Sequence, residues 1–158
     1  MNDFATPAED RWFEDYVPGA VHEFGSTTVT EDEILAFAGR FDPQPIHVDP
    51  EYAAGGPFGG LIASGWHTAS LMMRLFVDHY LSTVASLASP GIDDLRWTAP
   101  VRPGDTLRAR VTVAEARVSR SKPDRGLVRT DIVVLNQDDV TVLTMSAVNI
   151  LRRRSVLS

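Results

Sequence analysis

The second half of the chain alternates. Between 106 and 118, Leu107, Ala109, Val111 and Val113 fall on one side and Arg108, Arg110 and Thr112 on the other, the period of two that a strand with one buried face requires. Residues 127–135 and 140–151 read as two more strands. The joining stretches, 121–126 and Asn136-Gln137-Asp138-Asp139, are rich in turn formers. Three long strands with short turns make an antiparallel meander. Everything after Pro90 reads as sheet, with a further strand expected at 94–99 ahead of the turn Val101-Arg102-Pro103-Gly104-Asp105. An early strand is expected at 20–29, with Val21 and Glu23 facing one way and His22 and Phe24 the other.

Helical spacing occurs twice. Thr30-Glu31-Asp32-Glu33 forms a capping box, and Ile34, Leu35, Phe37, Ala38 and Phe41 follow at helical intervals, predicting a short amphipathic helix that ends near Arg40. Residues 65–81 are apolar around nearly the whole circumference, with Arg74 and Asp78 stacked at i, i+4. A helix of that kind is expected to be buried. Between the two, Pro43 pushes Asp42 out of the α region and Pro45 does the same to Gln44, predicting an extended, stiff loop. Asp49-Pro50 then starts another helical turn through Ala54. Residues 1–17 form a lead-in anchored by Trp12, Phe13 and Tyr16, residues 18–152 one domain, and residues 153–158 a C-terminal tail. An α+β domain whose sheet curls around a central helix gives that helix the apolar cover it needs.

Composition narrows the chemistry. The chain has 158 residues, a net charge of −6 and no cysteine, which removes disulfides, thiolate metal sites and thiol nucleophiles together. The acidic balance is not the footprint of a nucleic-acid binder. The first residues show neither a basic nor an apolar targeting segment and no apolar run is long enough to span a bilayer, so a cytoplasmic protein with no membrane partner is expected. Basic residues concentrate late, at Arg108, Arg110, Arg117, Arg120, Lys122, Arg125 and Arg129. They suit either a phosphorylated ligand or a solvated strand face.

Asp42 and His47 are the chemical candidates. They are complementary titrating types, five residues apart, in a segment restricted by Pro43, Pro45 and Pro50, as a preorganised acid/base pair requires. Taken singly, either would be read as a turn or capping residue, as Asp49 is. The run Gly55-Gly56-Pro57-Phe58-Gly59-Gly60 lacks the lysine of a phosphate loop and has Pro57 where a dinucleotide fingerprint needs glycine. Ser64 is not in a Gly-x-Ser-x-Gly elbow, because position 62 is Ile. Ser64-Gly65 at the helix entrance could present free amides to an oxyanion, or Gly65 could simply turn the chain. His67 is expected to be structural and hydrogen-bonded, and no histidine spacing matches a metal ligand set.

Residues 41–50, the run Phe58-Gly59-Gly60-Leu61-Ile62-Ala63-Ser64-Gly65 and the stretch Ala99-Pro100-Val101-Arg102-Pro103-Gly104-Asp105 together resemble the MaoC-like dehydratases, or R-specific enoyl-CoA hydratases, over roughly residues 20–150. The resemblance implies a hotdog fold, a long helix wrapped by an antiparallel sheet. It implies that Asp42 and His47 are catalytic and that the Gly65 amide faces the thioester oxygen, with Ser64 and Gln44 beside the substrate. Gln44 replaces the usual Asn of the motif. Some relatives support the aspartate with a serine inside the central helix, where this chain has only Ser70. The implied reaction is reversible hydration of a 2-enoyl thioester to an R-3-hydroxyacyl thioester, carried on CoA or an acyl-carrier protein and needing no other cofactor or metal. A homodimer or dimer of dimers is implied too, with the arginine-bearing strand ends as partners for CoA phosphates. A hotdog thioesterase and a non-catalytic acyl-thioester-binding subunit are the alternatives.

Overall fold

Alternation becomes register in the computed structural model, which describes residues 4–154. Five antiparallel strands, β1 (Val21–Thr28), β2 (Ser86–Trp97), β3 (Thr106–Val118), β4 (Arg125–Leu135) and β5 (Thr141–Arg152), form one sheet in the order β1-β3-β4-β5-β2. The consecutive strands β3, β4 and β5 are the expected meander. Leu107, Ala109, Val111 and Val113 all point inward and are fully buried, as their spacing requires. On β1, His22 and Phe24 are the inward pair.

Among the described residues four α-helices accompany the sheet: α1 (Glu31–Phe41), α2 (Pro45–Val48), α3 (Pro50–Ala54) and α4 (Gly65–His79). Thr30 caps α1 by accepting from the Glu33 amide at 3.2 Å. The long helix α4 lies across the inner face of the sheet, burying Met72, Leu75 and Phe76 among the strand side chains. No helix among the described residues is long and apolar enough to cross a membrane.

Three expectations need correction. The segment after Asp42 is extended only as far as Gln44, whose ψ of 144° follows from the proline after it, and Pro45 itself opens α2. Proline is suited to a first helical position, because its missing amide has no partner there in any case. The second strand begins at Ser86 and ends at Trp97, so it is earlier and longer than the expected 94–99. It tolerates Pro90 because it is a sheet edge with interrupted register, and its last bulge has Asp94 at a positive φ of 53°. Finally, α4 is not buried all round. Trp66, Met73 and Val77 share an exposed stripe, 57%, 43% and 45% accessible.

Residues 1–3 of the lead-in and 155–158 of the tail lie outside the described residues. Phe13 and Tyr16 are buried, Phe13 lying against Gly126, where any side chain would come within 2.2 Å of its ring. The Tyr16 hydroxyl donates to the Tyr80 carbonyl at 2.7 Å. Arg11, only 5% exposed, donates to the carbonyls of His79, Tyr80 and Thr6 while its guanidinium covers the Phe4 ring at 3.8 Å. A cation at the C-terminal end of α4 also opposes the negative end of the helix dipole. Arg154 closes the same region with ion pairs to Asp10 and Asp15.

Arg11→Ala removes the guanidinium from the Thr6, His79 and Tyr80 carbonyls, of which Tyr80 keeps the Tyr16 hydroxyl, and is expected to cost about 2 kcal/mol. Thermal and denaturant unfolding followed by circular dichroism measure it; a loss below about 0.5 kcal/mol would show that the lead-in does not brace α4.

Candidate active site

Asp42 stands where α1 ends. Its backbone, at φ −152° and ψ 66°, has left the helical region ahead of Pro43, while its amide still bonds to Ala38. Two residues later the chain turns into α2, and this single turn brings His47 back beside Asp42. The His47 Nε2 lies 3.5 Å from Asp42 Oδ2, with the histidine side chain 7% and the aspartate 18% accessible.

The other imidazole nitrogen sets the chemistry of the pair. His47 Nδ1 lies 2.8 Å from the Ile62 carbonyl oxygen. A carbonyl can only accept, so Nδ1 carries a proton, and in the neutral form of the ring Nε2 presents its lone pair toward Asp42. In that form the two atoms, 3.5 Å apart, are both acceptors and do not bond to each other. They leave a place where one water can donate to both, or where one proton can be held between them.

Asp42 is held on its other lone pairs. Gln44 Nε2 donates to Oδ1 and Ser64 Oγ to Oδ2, each at 2.7 Å. These two donors, the Gln44 bond first, hold the carboxyl below its ordinary range against the opposing effect of burial, and any positive charge on His47 acts in the same direction as the donors. Asp42 is therefore fixed as a carboxylate.

Ser64 is also the N-cap of α4, its hydroxyl accepting from the Trp66 amide at 3.3 Å. It is completely buried and its proton goes to Asp42. Expected beside the substrate, it sits behind the carboxylate instead. The support for Asp42 thus comes from the helix entrance and not from Ser70, whose hydroxyl bonds the Trp66 carbonyl within the helix. Gln44 likewise reaches the carboxylate directly.

The amides of His67 and Thr68 bond the Ser64 carbonyl, whereas the Gly65 amide has no acceptor among the described residues. Gly65 lines a cleft of about 490 Å³ together with Asp42, Gln44 and His47, and with Phe58, Trp66 and Trp97 on its walls. Trp97 arrives from the end of the β2 edge strand and donates from Nε1 to the Gly65 carbonyl at 2.7 Å. Its ring lies so close that a Cβ at position 65 would meet it at 2.4 Å, so only glycine fits. Trp66 stands edge-on to Trp97 with centroids 5.1 Å apart. Neither tryptophan is singled out by its sequence position, because the 30 residues between them carry no signal of contact.

The remaining candidates stay apart from the cleft's chemistry. His67 is buried and stacks on Phe37 at 4.8 Å. Its Nδ1 has no hydrogen-bond partner among the described residues, contrary to the expected role, and burial pushes its pKa down. Arg108, Arg110, Arg125 and Arg129 each meet a carboxylate of the chain, at Glu23, Glu23, Asp124 and Asp93. They fit the solvated-face reading. Among the described residues no group of three or more histidine, aspartate or glutamate side chains is arranged to hold a metal ion.

Comparison with known proteins adds an independent line. Residues 15–135 match the family model described as MaoC like domain. A Bacillus subtilis protein named Uncharacterized protein YdeM is 32% identical over 129 residues, covering 82% of this chain and 90% of that protein. The 3-hydroxyacyl-thioester dehydratase Z of Mycobacterium tuberculosis is 44% identical over 84 residues, 52% of this chain and 56% of its own length. Among solved structures, a MaoC-like dehydratase from Rhodospirillum rubrum superposes with a TM-score of 0.85 at 39% identity, covering 92% of this chain and 99% of that one. The fold is the hotdog fold.

Because the Gln44 amide donates to the ionised carboxyl, Gln44→Leu should raise the Asp42 pKa toward its ordinary value. Carbon-13 NMR titration of the aspartate carboxyls compares the two forms. An Asp42 signal titrating at the same pH in both would mean that the amide contributes nothing to the site.

Proposed function

The chain belongs to the MaoC-like domain family, and we propose that it catalyses the reversible hydration of a 2-enoyl thioester to the R-3-hydroxyacyl thioester. The observation that carries this reading is the facing pair of Asp42 Oδ2 and His47 Nε2, 3.5 Å apart at the wall of a cleft that Gly65 also lines. A water donating to both acceptors is oriented with a lone pair toward the β-carbon of a bound enoyl chain. As its oxygen bonds to that carbon, the pair removes one of its protons. The electrons of the double bond move onto the thioester oxygen, where the Gly65 N–H stabilises the negative charge. The removed proton then passes to the α-carbon, so the elements of one water are added across the double bond and the carbonyl is restored.

Asp42 and His47 lie on one wall, so both new bonds form on one face of the substrate. Gln44 and Ser64 keep Asp42 ionised and oriented, acting through the carboxylate. The tryptophan at position 97 fixes the Gly65 peptide by its hydrogen bond to that carbonyl. The thioester carrier is CoA or an acyl-carrier protein, and no further cofactor takes part.

Crotonyl-CoA hydration tests the reading: consumption of the enoyl chromophore, with chiral analysis of the 3-hydroxybutyryl product. Asp42→Asn and His47→Ala should each lower kcat/KM by about 10²- to 10⁴-fold. Equal activity of the variants and the unaltered chain would remove both residues from the mechanism, and release of free CoA instead of a hydroxyacyl product would assign a thioesterase.

A homodimer belongs to the same proposal. The edge strand β2 runs for 12 residues with its outer edge unpaired in the protomer, and Ile92 on it, 47% accessible, lines one groove with the exposed Trp66 and Met73 of α4. A long uncovered edge next to apolar surface is a template for a second copy. Light scattering should give twice the 17.3 kDa chain mass. Ile92→Lys should shift the mass toward a single chain; an unaltered chain that is a monomer at micromolar concentration would overturn the pairing.

A further inference from the structure

Along β5 the inward-facing row reads Leu143, Met145, Ala147, Asn149 and Leu151, so one amide interrupts an apolar stripe. Asn149 is 7% exposed, and its Oδ1 has no hydrogen-bond partner among the described residues. The neighbouring strand provides the contrast: Thr130 on β4 is wholly buried but meets the Tyr80 hydroxyl at 2.7 Å. Native interiors rarely leave a buried polar atom unmatched, and an exception calls for a partner.

Asn149 lines a groove of about 300 Å³ between α4 and the sheet, bounded chiefly by Trp66, Met73, Phe76, Ile92 and Met145. No charged side chain lines it. Its two serines are engaged locally, Ser70 with the Trp66 carbonyl and Ser89 with the Gly91 carbonyl. The groove adjoins the Asp42–His47 cleft, with Trp66 lining both. It also leads away from the cleft. Trp97 stands opposite Leu143, and Asn149 lies six positions farther along β5, roughly 20 Å at the rise of a strand.

Resting on the hydratase reading above, we propose that this groove receives the distal part of the acyl chain and that Asn149 selects chains bearing a hydroxyl near their far end. Apolar walls suit the methylene chain, while the single amide needs a hydrogen-bonding group. A hydroxyl both donates and accepts, so it satisfies the amide in either orientation. A carboxylate or ammonium would enter without a counter-charge. A plain chain leaves the amide oxygen unmatched, which is how a polar group in an apolar pocket discriminates. A second copy paired along β2 would roof the groove at Trp66, Met73 and Ile92.

The test titrates saturated acyl-CoAs of increasing length, each with and without a terminal hydroxyl, into the full chain by calorimetry. Affinity should rise with length until the groove is filled, and there the hydroxylated form should bind about fivefold tighter than its plain counterpart. Asn149→Leu, close in volume, should abolish that preference, with circular dichroism reporting its fold. Ala69→Phe, which narrows the groove from the helix side, should flatten the length dependence and provides a second route if the first variant does not fold. A hydroxyl preference absent at every length, or retained in Asn149→Leu, overturns the proposal. So does an affinity independent of chain length, the result expected if a second copy fills the groove. Crotonyl-CoA hydration by the unaltered chain separates the two readings: its failure removes the hydratase assignment, whereas its success with a flat length series removes only the groove.

Discussion

One hydroxyl joins the scaffold to the site. Ser64 Oγ accepts the Trp66 amide, which closes the first turn of α4, and donates to Asp42, which fixes the carboxylate. The start of the central helix and the position of the acidic group are therefore not independent. The Asp42 loop cannot move away without exposing an unpaired hydroxyl in a fully buried place, and α4 cannot slide without dragging the carboxylate. The Ile62 carbonyl acts in the same way on His47, from the strand-like run just ahead of the helix. Asp42 and His47 are thus both set by the segment 62–64, although both are contributed by the segment 42–47.

The helix entrance also carries the third chemical element. Gly65 has to be glycine because Trp97 occupies the space a side chain would need, and the same indole binds the Gly65 carbonyl. The edge strand that delivers Trp97 is irregular, with Pro90 in it and a bulge around Asp94 just before the tryptophan. Irregularity of this kind, which weakens pairing, is what re-aims a side chain off the alternating pattern. In this protein the least regular strand of the sheet supplies a wall of the cleft.

The far end of α4 shows the opposite strategy, in which polar groups are matched inside the scaffold. Arg11, Tyr16, Tyr80 and Thr130 satisfy one another or backbone carbonyls, so the lead-in and the helix end form a closed hydrogen-bonded cluster. Set against that cluster, the Asn149 Oδ1 on the sheet face is left unmatched among the described residues, as is the His67 Nδ1 on α4.

What the sequence determined by itself was whatever depends on local period and local stereochemistry. Strict alternation gave the β3–β5 meander and its buried row, the Thr30 half of the capping box gave the start of α1, and prolines at 43 and 45 forced Asp42 and Gln44 out of helical geometry. The Asp42–His47 pair was legible because both lie within one short turn. The tertiary structure decided the rest, since it depends on which surfaces meet. An apolar circumference said that α4 needed cover but not that the protomer would leave Trp66, Met73 and Val77 open. The serine beside Asp42 proved to be Ser64, 22 residues away, and the partners of His47 and Gly65 lie 15 and 32 residues from them. Contacts at such separations leave no periodic trace in a single sequence, because they are fixed by the packing of helix on sheet and not by the spacing of either.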